Sequence, residues 1–98
     1  MPLSDKQIRH LKSLGHHLKP VVWVGQHGLR ESVLEELSIA LDTHELVKVK
    51  IVAEKAERLE IIERMKAAVG AELVQHIGQM AILFRRNEKK PKVALPSN

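Results

Sequence analysis

Hydrophobic residues recur along the chain with two periods, and these separate the predicted helices from the predicted strands. The first period is helical, because the apolar residues from Ile8 to Leu18 fall on one side of a helix. Ser4 and Gln7 have the spacing of a capping box, which predicts where this helix begins. Pro20 is predicted to end the helical run, since proline cannot continue it.

Two shorter stretches follow the period of a strand. Residues 21–24 form an apolar, β-branched run that predicts a buried strand, and Trp23 inside it is expected in the core. Residues 46–52 alternate, so that Lys48 and Lys50 fall on the face opposite to the apolar positions. The favoured interpretation of both lysines is the outer face of a half-exposed strand.

Two further helices are predicted from the same helical spacing. One lies between the two strands, with its apolar side from Val33 to Leu41 and its acidic side turned outward. The other covers residues 54–69. Gly70 follows it at the position of a left-handed C-terminal cap. The apolar side of this third helix is predicted to consist of Leu59, Ile62, Met65 and Val69.

The end of the chain adds a hairpin and a tail. Residues 71–77 and 79–86 predict two strands that turn around Gly78. The resulting order α-β-α-β-α-β-β predicts an α/β (α+β) fold, a four-stranded mixed sheet packed with three helices. We expect one domain over residues 1–86, followed by a polar, basic and proline-broken segment, residues 87–98, as a flexible tail.

Charge is distributed unevenly over these elements. The chain of 98 residues has a net charge of +4, which favours polyanionic partners. Residues 1–19 carry four cations and one anion, and residues 85–92 carry five cations and one anion. Residues 30–45, which include the second helix, carry one cation and five anions. Such a one-sided pattern favours a defined binding face.

The sequence offers little for catalysis or cofactor binding. It has no cysteine, which excludes disulfides, thiol nucleophiles and thiolate zinc sites. Its six histidines include no i, i+4 pair and no H-E-x-x-H motif, and neither a Walker loop nor G-x-S-x-G is present. We therefore expect no enzyme, no cofactor and no metal site. Without a secretory signal or an apolar run near the ~20 residues of a membrane span, a cytoplasmic location is expected.

The most informative motif is Gly25-x-x-Gly28, between a predicted strand and a predicted helix. Two glycines allow a tight turn and leave no Cβ in the way of a sugar-phosphate chain. Main-chain amides at the start of the following helix attract anions, and KH-type domains use such a loop to hold a nucleic-acid backbone. An ordinary strand-to-helix turn remains the alternative for the motif by itself.

Basic residues near the motif strengthen the nucleic-acid interpretation. Arg9, Lys12, His16 and Lys19 recur at helical spacing and form a cationic stripe beside the apolar side of the first helix. A solvated helix face is the alternative for this stripe. For the arginines at positions 85 and 86, the alternative is a solubilising role at the start of the tail.

Four segments together resemble the CRM domain family, named for chloroplast RNA splicing and ribosome maturation. They are residues 11–17 (LKSLGHH), 18–29 (LKPVVWVGQHGL), 44–50 (HELVKVK) and 74–78 (VQHIG). The resemblance covers about residues 3–86. With a single such domain, the chain resembles the stand-alone, bacterial YhbY type of the family.

The resemblance implies a fold akin to the C-terminal domain of a translation initiation factor, with a KH-like GxxG loop placed on RNA. It also implies association with precursors of the large ribosomal subunit, as an assembly factor with ribosomal RNA as its expected partner. We expect the protein to be a monomer that binds neither a membrane nor a small-molecule substrate. The residues expected to bind RNA are Gly25, Gln26, His27, Gly28, Leu29, Arg30, Arg9, Lys12, His16, Lys19, Arg85 and Arg86.

Two features limit how the loop and the rest of the chain are expected to bind. KH-type loops usually offer Lys or Arg in the middle, whereas this loop offers Gln26 and His27. Aromatic residues are few, Trp23 and Phe84, and a core position for Trp23 excludes base stacking as the main mode. We therefore expect recognition of RNA backbone and shape, with a marked dependence on salt.

A different class of function stays open. The acidic second helix could dock a basic partner such as a ribosomal protein, which would make the chain a protein-interaction adaptor. Charge reversal at Glu35 and Glu36 separates the two hypotheses. Loss of ribosome association with intact binding of naked RNA would favour the adaptor.

Overall fold

The computed structural model describes residues 3–97, and residues 1, 2 and 98 of the predicted domain and tail lie outside them. Three helices pack with a four-stranded mixed sheet, so the predicted α/β (α+β) architecture is confirmed. No helix within this range is long and apolar enough to cross a membrane. The elements are α1 (Asp5–Gly15), β1 (Val22–Val24), α2 (Glu31–His44), β2 (Leu46–Ile51), α3 (Lys55–Val69), β3 (Glu72–Ile77) and β4 (Met80–Phe84).

The strands lie in the order β1-β2-β4-β3. β1 runs parallel to β2, to which α2 connects it, and the other neighbours are antiparallel. The register aligns Trp23 with Lys50, Lys50 with Met80, and Met80 with Ile77. Because aligned residues share a face of the sheet, these four side chains form one row across all four strands.

The face of the sheet covered by α2 and α3 carries the larger core. Alternate residues of β1 and β2 point into it, and α3 adds Ile61, Ile62 and Met65. The prediction for α3 was partly wrong, because Leu59 is exposed and Ile61 is buried. The buried stripe is centred on Ile61 and Ile62, so Leu59 lies at its margin.

The opposite face of the sheet is covered by α1. Leu11 of this helix is fully buried in a second, smaller cluster with residues of β2, β3 and β4. Gly15 lies so close to β4 that a Cβ there would be 2.6 Å from Ile82 Cδ1. The absence of a side chain at Gly15 therefore lets the end of α1 lie directly on the sheet.

The limits of α1 follow the sequence at one end and differ from it at the other. The capping box is confirmed, with 3.1 Å from Gln7 N to Ser4 Oγ and 3.0 Å from Ser4 N to Gln7 Oε1. The helix ends at Gly15, well before Pro20, so the prediction that proline ends it was wrong. A turn follows, in which the amides of His17 and Leu18 donate to carbonyls three residues earlier.

Trp23 is not in the core, which corrects the expectation from its apolar strand. Its side chain is 65% exposed. Val22 and Val24 take the buried positions of β1, so alternation turns Trp23 to the other face. β1 is an edge strand of three residues, and α1 packs over the other strands on that face. Trp23 is therefore left uncovered.

Glu45 ends α2 and holds the segment after the sheet. It has φ 63°, and it is the one non-glycine residue at positive φ among residues 3–97. Its carboxylate is fully buried and accepts hydrogen bonds from the main-chain amides of Asn87, Lys92 and Val93, at 2.5, 2.6 and 2.8 Å. Arg86 Nη1 lies 3.2 Å from the same carboxylate.

These contacts decide the protonation of the buried carboxyl. Burial works to raise the pKa of Glu45, but the three amides and the Arg86 guanidinium favour the ionised form and outweigh it. The pKa of Glu45 consequently lies below its ordinary value.

Residues 87–97 lie against the α1 side of the molecule. Val93 and Leu95 pack against the smaller core cluster. The side chain of Gln7 donates to the Pro96 carbonyl at 3.0 Å, and His10 Nε2 lies 2.9 Å from the Ala94 carbonyl. The predicted flexibility of this tail stays a prediction, but its position is defined by contacts with the domain.

Candidate nucleic-acid interface

The Gly25–Gly28 loop has the geometry of a tight, open turn. The amide of Gly28 donates to the Gly25 carbonyl at 3.0 Å, which closes the turn. Gly28 has φ 76°, a backbone conformation that residues with a side chain rarely adopt. The turn therefore requires glycine at this position. At both glycines a Cβ would meet nothing within 4 Å. The loop therefore leaves space beside the main chain at its two glycines, on either side of Gln26 and His27.

The neighbouring loop residues divide into exposed and anchoring ones. Gln26, His27 and Arg30 are exposed. Arg30 is the N-cap of α2 and makes no side-chain capping bond, so its side chain does not occupy the first amides of the helix. Leu29 is half-buried against the α2–α3 core, so its side chain anchors the loop. Contact between Leu29 and RNA stays a prediction. The main chain of Leu29, and not its packed side chain, is the part expected to make that contact.

The cationic stripe of α1 spreads along the helix away from the loop. Arg9, His16 and Lys19 are exposed, and Lys12 is half-buried. His16 lies at the end of α1 that rests on the sheet, with its Nε2 3.1 Å from Gln75 Oε1 of β3. Arg9 is about 10 Å farther along the helix, at ~1.5 Å per residue. The structure thus brings His16 and Lys19, but not Arg9, toward the centre of the sheet face.

Lys48 of β2 connects these residues. It lines a groove of about 580 Å³ together with Lys19 and Lys92. It also lines a smaller cavity of about 160 Å³ together with His16 and Gln75. The sequence indicated only an outer strand face for Lys48. Its place beside His16 and Lys19, after α1, and beside Lys92 of the C-terminal segment was missed.

A row of side chains next to the loop was also missed. We call Trp23, Lys50, Met80 and Ile77 the Trp23 row, since they are aligned across the four strands. Trp23 is two residues before Gly25, so the row borders the loop. The alternation of β2 predicted that Lys50 faces outward. Pairing of β1 with β2, which places Trp23 beside Lys50, left no signal in the sequence.

Arg85 and Arg86 lie at the opposite end of the sheet. They follow Phe84, which pairs with Leu46 at the start of β2, about 17 Å along the strand from its end beside the loop. Arg85 donates to the carbonyls of Ser38 and Val69, at 2.8 and 2.9 Å. These arginines are thus not brought together with the loop, and their role in RNA binding stays a prediction.

Both arginines are engaged within the protein. Arg85 pairs with Asp42 at 2.8 Å, and Arg86 donates to the Val93 carbonyl at 2.7 Å besides its contact with Glu45. The remaining ion pair found within residues 3–97 is on α3 and likewise involves no residue of the loop or the Trp23 row. Over the same range, no group of three histidine, aspartate or glutamate side chains is placed to hold a metal ion.

A family comparison bears directly on this arrangement. The family model of the CRS1/YhbY (CRM) domain matches residues 3–85. The chain belongs to the CRS1/YhbY (CRM) domain family. The resemblance seen in the four sequence segments is thereby confirmed, and the matched range includes the loop, α1 and the Trp23 row.

Relatives of known name cover nearly the whole chain. A protein of Pseudomonas aeruginosa, which carries the name "Probable RNA-binding protein", is 46% identical over 94% of this chain and 89% of its own length. One of Haemophilus influenzae, named RNA-binding protein, is 44% identical over 96% of this chain and 95% of its own.

A solved structure has the same fold. The solution structure of a hypothetical protein of Staphylococcus aureus, described as a candidate RNA-binding protein, aligns with a TM-score of 0.84 at 31% identity. The alignment covers 97% of this chain and all of that one. The CRM fold expected from the sequence therefore agrees with a structure of a related protein.

Proposed function

We propose that this CRM protein binds RNA of precursors of the large ribosomal subunit and assists their assembly in the cytoplasm. The loop from Gly25 to Gly28 lies against the RNA backbone. Arg30, next to the loop, neutralises an adjoining phosphate, and Lys19 neutralises another at the groove that it lines with Lys48. The exposed imidazole of His16 contacts the same RNA. We leave Arg85 and Arg86 out of this proposed surface, because they lie at the other end of the sheet and already donate to groups of the protein.

The observation that carries the proposal is the open space around both glycines of the loop. A nucleic-acid backbone that approaches main-chain amides needs space beside them, and residues outside the loop leave the Cβ positions of Gly25 and Gly28 free within 4 Å. The names of the relatives in Pseudomonas and Haemophilus support RNA as the ligand. The net charge of +4 supports the same class of ligand.

Gly25 offers a sharper test than Gly28. A residue with a side chain at position 28 would also be strained by the positive φ. Gly25 does not have a positive φ, and a Cβ there would meet nothing within 4 Å. We expect Gly25→Asp to weaken binding of transcribed large-subunit ribosomal RNA about tenfold or more, because a carboxylate opposes phosphate. Gly25→Asn, of the same size and without the charge, is expected to weaken it less. Fluorescence anisotropy at fixed salt measures both affinities.

Thermal unfolding of the two variants provides the control, and both are expected to have the same midpoint temperature as the wild type. A folded Gly25→Asp protein with wild-type affinity would contradict the role of the loop.

Sedimentation of cell extract tests the ribosomal part of the proposal. We expect the protein in fractions with large-subunit precursors, and its presence in free fractions alone would contradict that part.

A second candidate function uses the other side of the molecule. Glu31, Glu35 and Glu36 are exposed on α2, together with Ile39, and α2 covers the face of the sheet opposite to the Trp23 row. This acidic helix could dock a basic ribosomal protein. Charge reversal of Glu35 and Glu36 that abolishes sedimentation with ribosomal particles, with unchanged affinity for naked RNA, would favour this adaptor function.

A further inference from the structure

The Trp23 row exposes apolar surface that the fold leaves uncovered. Trp23 and Ile77, at the two edges of the sheet, are 65% and 58% exposed. Val21 and Val52, next to the ends of β1 and β2, are exposed as well. Large apolar side chains left exposed along one face of a sheet mark a binding surface, because water solvates such a patch poorly.

The size of the row suits a short stretch of nucleic acid. Four strands at ~4.8 Å spacing span about 14 Å. The indole ring of Trp23 lies at one edge, and the neighbouring strand carries Lys50 beside it. The row thus has both kinds of side chain that bind single-stranded nucleic acid. Aromatic rings stack on bases, and cations bind the phosphates between them.

Charge around the row favours RNA over a protein partner. Lys50 is inside the row, and Lys48 and His16 line the cavity next to it. The row and the adjoining positions Val21, Lys48, Ile82 and Gln75 contain no carboxylate. The exposed acidic residues of α2 are on the opposite side of the sheet. The row is thus apolar and cationic, which complements a base and its phosphate.

We infer that the Trp23 row binds an unpaired nucleotide, whose base stacks on Trp23 and whose phosphate lies at Lys50. This inference rests on the proposed function and narrows its ligand to RNA with an unpaired nucleotide beside the backbone held by the loop. Because Trp23 is two residues before Gly25, one RNA strand can contact the loop and the row together. The loop binds the backbone and the row selects unpaired bases.

The chain has a single tryptophan, so its own fluorescence reports on this row without a label. The probes are a hairpin RNA with a bulge of three adenosines and the same hairpin fully paired. We expect the bulged hairpin to quench Trp23 emission and to reduce its accessibility to acrylamide. The paired hairpin is expected to bind more weakly and to change the emission little.

Substitutions at Trp23 separate stacking from apolar contact. Trp23→Leu keeps an apolar side chain without a ring, and we expect it to weaken binding of the bulged hairpin about 5- to 150-fold. Trp23→Phe keeps a ring and is expected to retain most of the affinity. Ile39→Ala is the matched control, because Ile39 is 66% exposed on α2, and its affinity is expected to equal that of the wild type. Circular dichroism melts check that each variant is folded.

The outcomes distinguish this inference from the proposed function. If Gly25→Asp weakens binding and Trp23→Leu does not, the row takes no base and the loop proposal stands. If the wild type binds neither hairpin nor large-subunit RNA, both fail. If Trp23→Leu keeps its RNA affinity but no longer sediments with ribosomal particles, the row docks a protein, which also overturns the inference.

Discussion

The two ends of the sheet both carry basic residues, but they use them differently. At the end after β4, Arg85 and Arg86 are bonded to carbonyls and carboxylates of the protein itself. At the end beside the loop, Lys50 lies in an open row with no carboxylate. The number of cations is therefore a poor guide to a binding face, and their partners decide their role.

The same contrast holds for exposed and buried groups. The far end buries Glu45, a charged side chain, and satisfies it with three amides and one guanidinium. The loop end exposes Trp23, an apolar side chain, and leaves both loop glycines open. One end encloses a charged side chain within the protein, and the other leaves an apolar side chain exposed to solvent.

The largest expected effect concerns the end that encloses Glu45. Glu45→Ala removes the acceptor of three main-chain amides, and we expect the free energy of unfolding to fall by about 2–4 kcal/mol. Urea unfolding followed by circular dichroism measures it. Glu36→Ala, at an exposed carboxylate of the same helix, is the control and is expected to change stability by less than about 0.5 kcal/mol. Equal stability of both variants would show that the buried carboxylate does not hold the tail.

A smaller effect is expected from the two lysines of β2, Lys50 in the Trp23 row and Lys48 on the same face of the strand. The double substitution of Lys48 and Lys50 by alanine is expected to weaken binding of large-subunit RNA about tenfold. It should also reduce the slope of log affinity against log salt by about 2, one unit for each phosphate contact. The same substitution of Lys89 and Lys90 removes equal charge from the far end and is expected to change affinity by less than about threefold. Equal losses in the two double variants would remove the distinction between the ends.

The smallest effect is the pH dependence of the end that encloses Glu45. The pKa of Glu45 is lowered in the folded protein, so its contribution is complete above the ordinary value of 4.5. As pH falls below 4.5 and through the lower folded pKa, the unfolded state binds more protons and the contribution is lost. We expect the stability difference between the wild type and Glu45→Gln, measured by urea unfolding, to shrink over this range. A difference that stays constant or grows as pH falls would contradict the ionised state of Glu45.

Sequence periodicity predicted the elements well, because helices and strands leave local patterns. The capping box at Ser4, the left-handed cap at Gly70 and the hairpin at Gly78 were all predicted and are present. The positions of Lys48 and Lys50 on one strand face were predicted too. One error concerns the end of α1, which lies at Gly15 and not at Pro20. The others concern burial at Trp23 and Leu59, where a neighbouring element decides which apolar residues are covered.

The candidate site was predicted in part. The loop glycines were recognised from their spacing, since a tight turn between a strand and a helix is a local feature. Glu45 was counted only as one of the five anions of residues 30–45, because nothing near it in sequence indicates that amides more than 40 residues away will enclose it. Trp23 beside Lys50 likewise joins positions far apart in the chain.

The sequence by itself determined the elements, the open glycine loop and the alternation that turns Lys50 outward, because these follow from spacing within a few residues. Only the tertiary structure decided that β1 is an edge strand, that α1 leaves Trp23 uncovered and that Glu45 is enclosed by the tail. Strand order and helix placement depend on which surfaces pack best over the whole chain, and local periodicity carries no record of that choice.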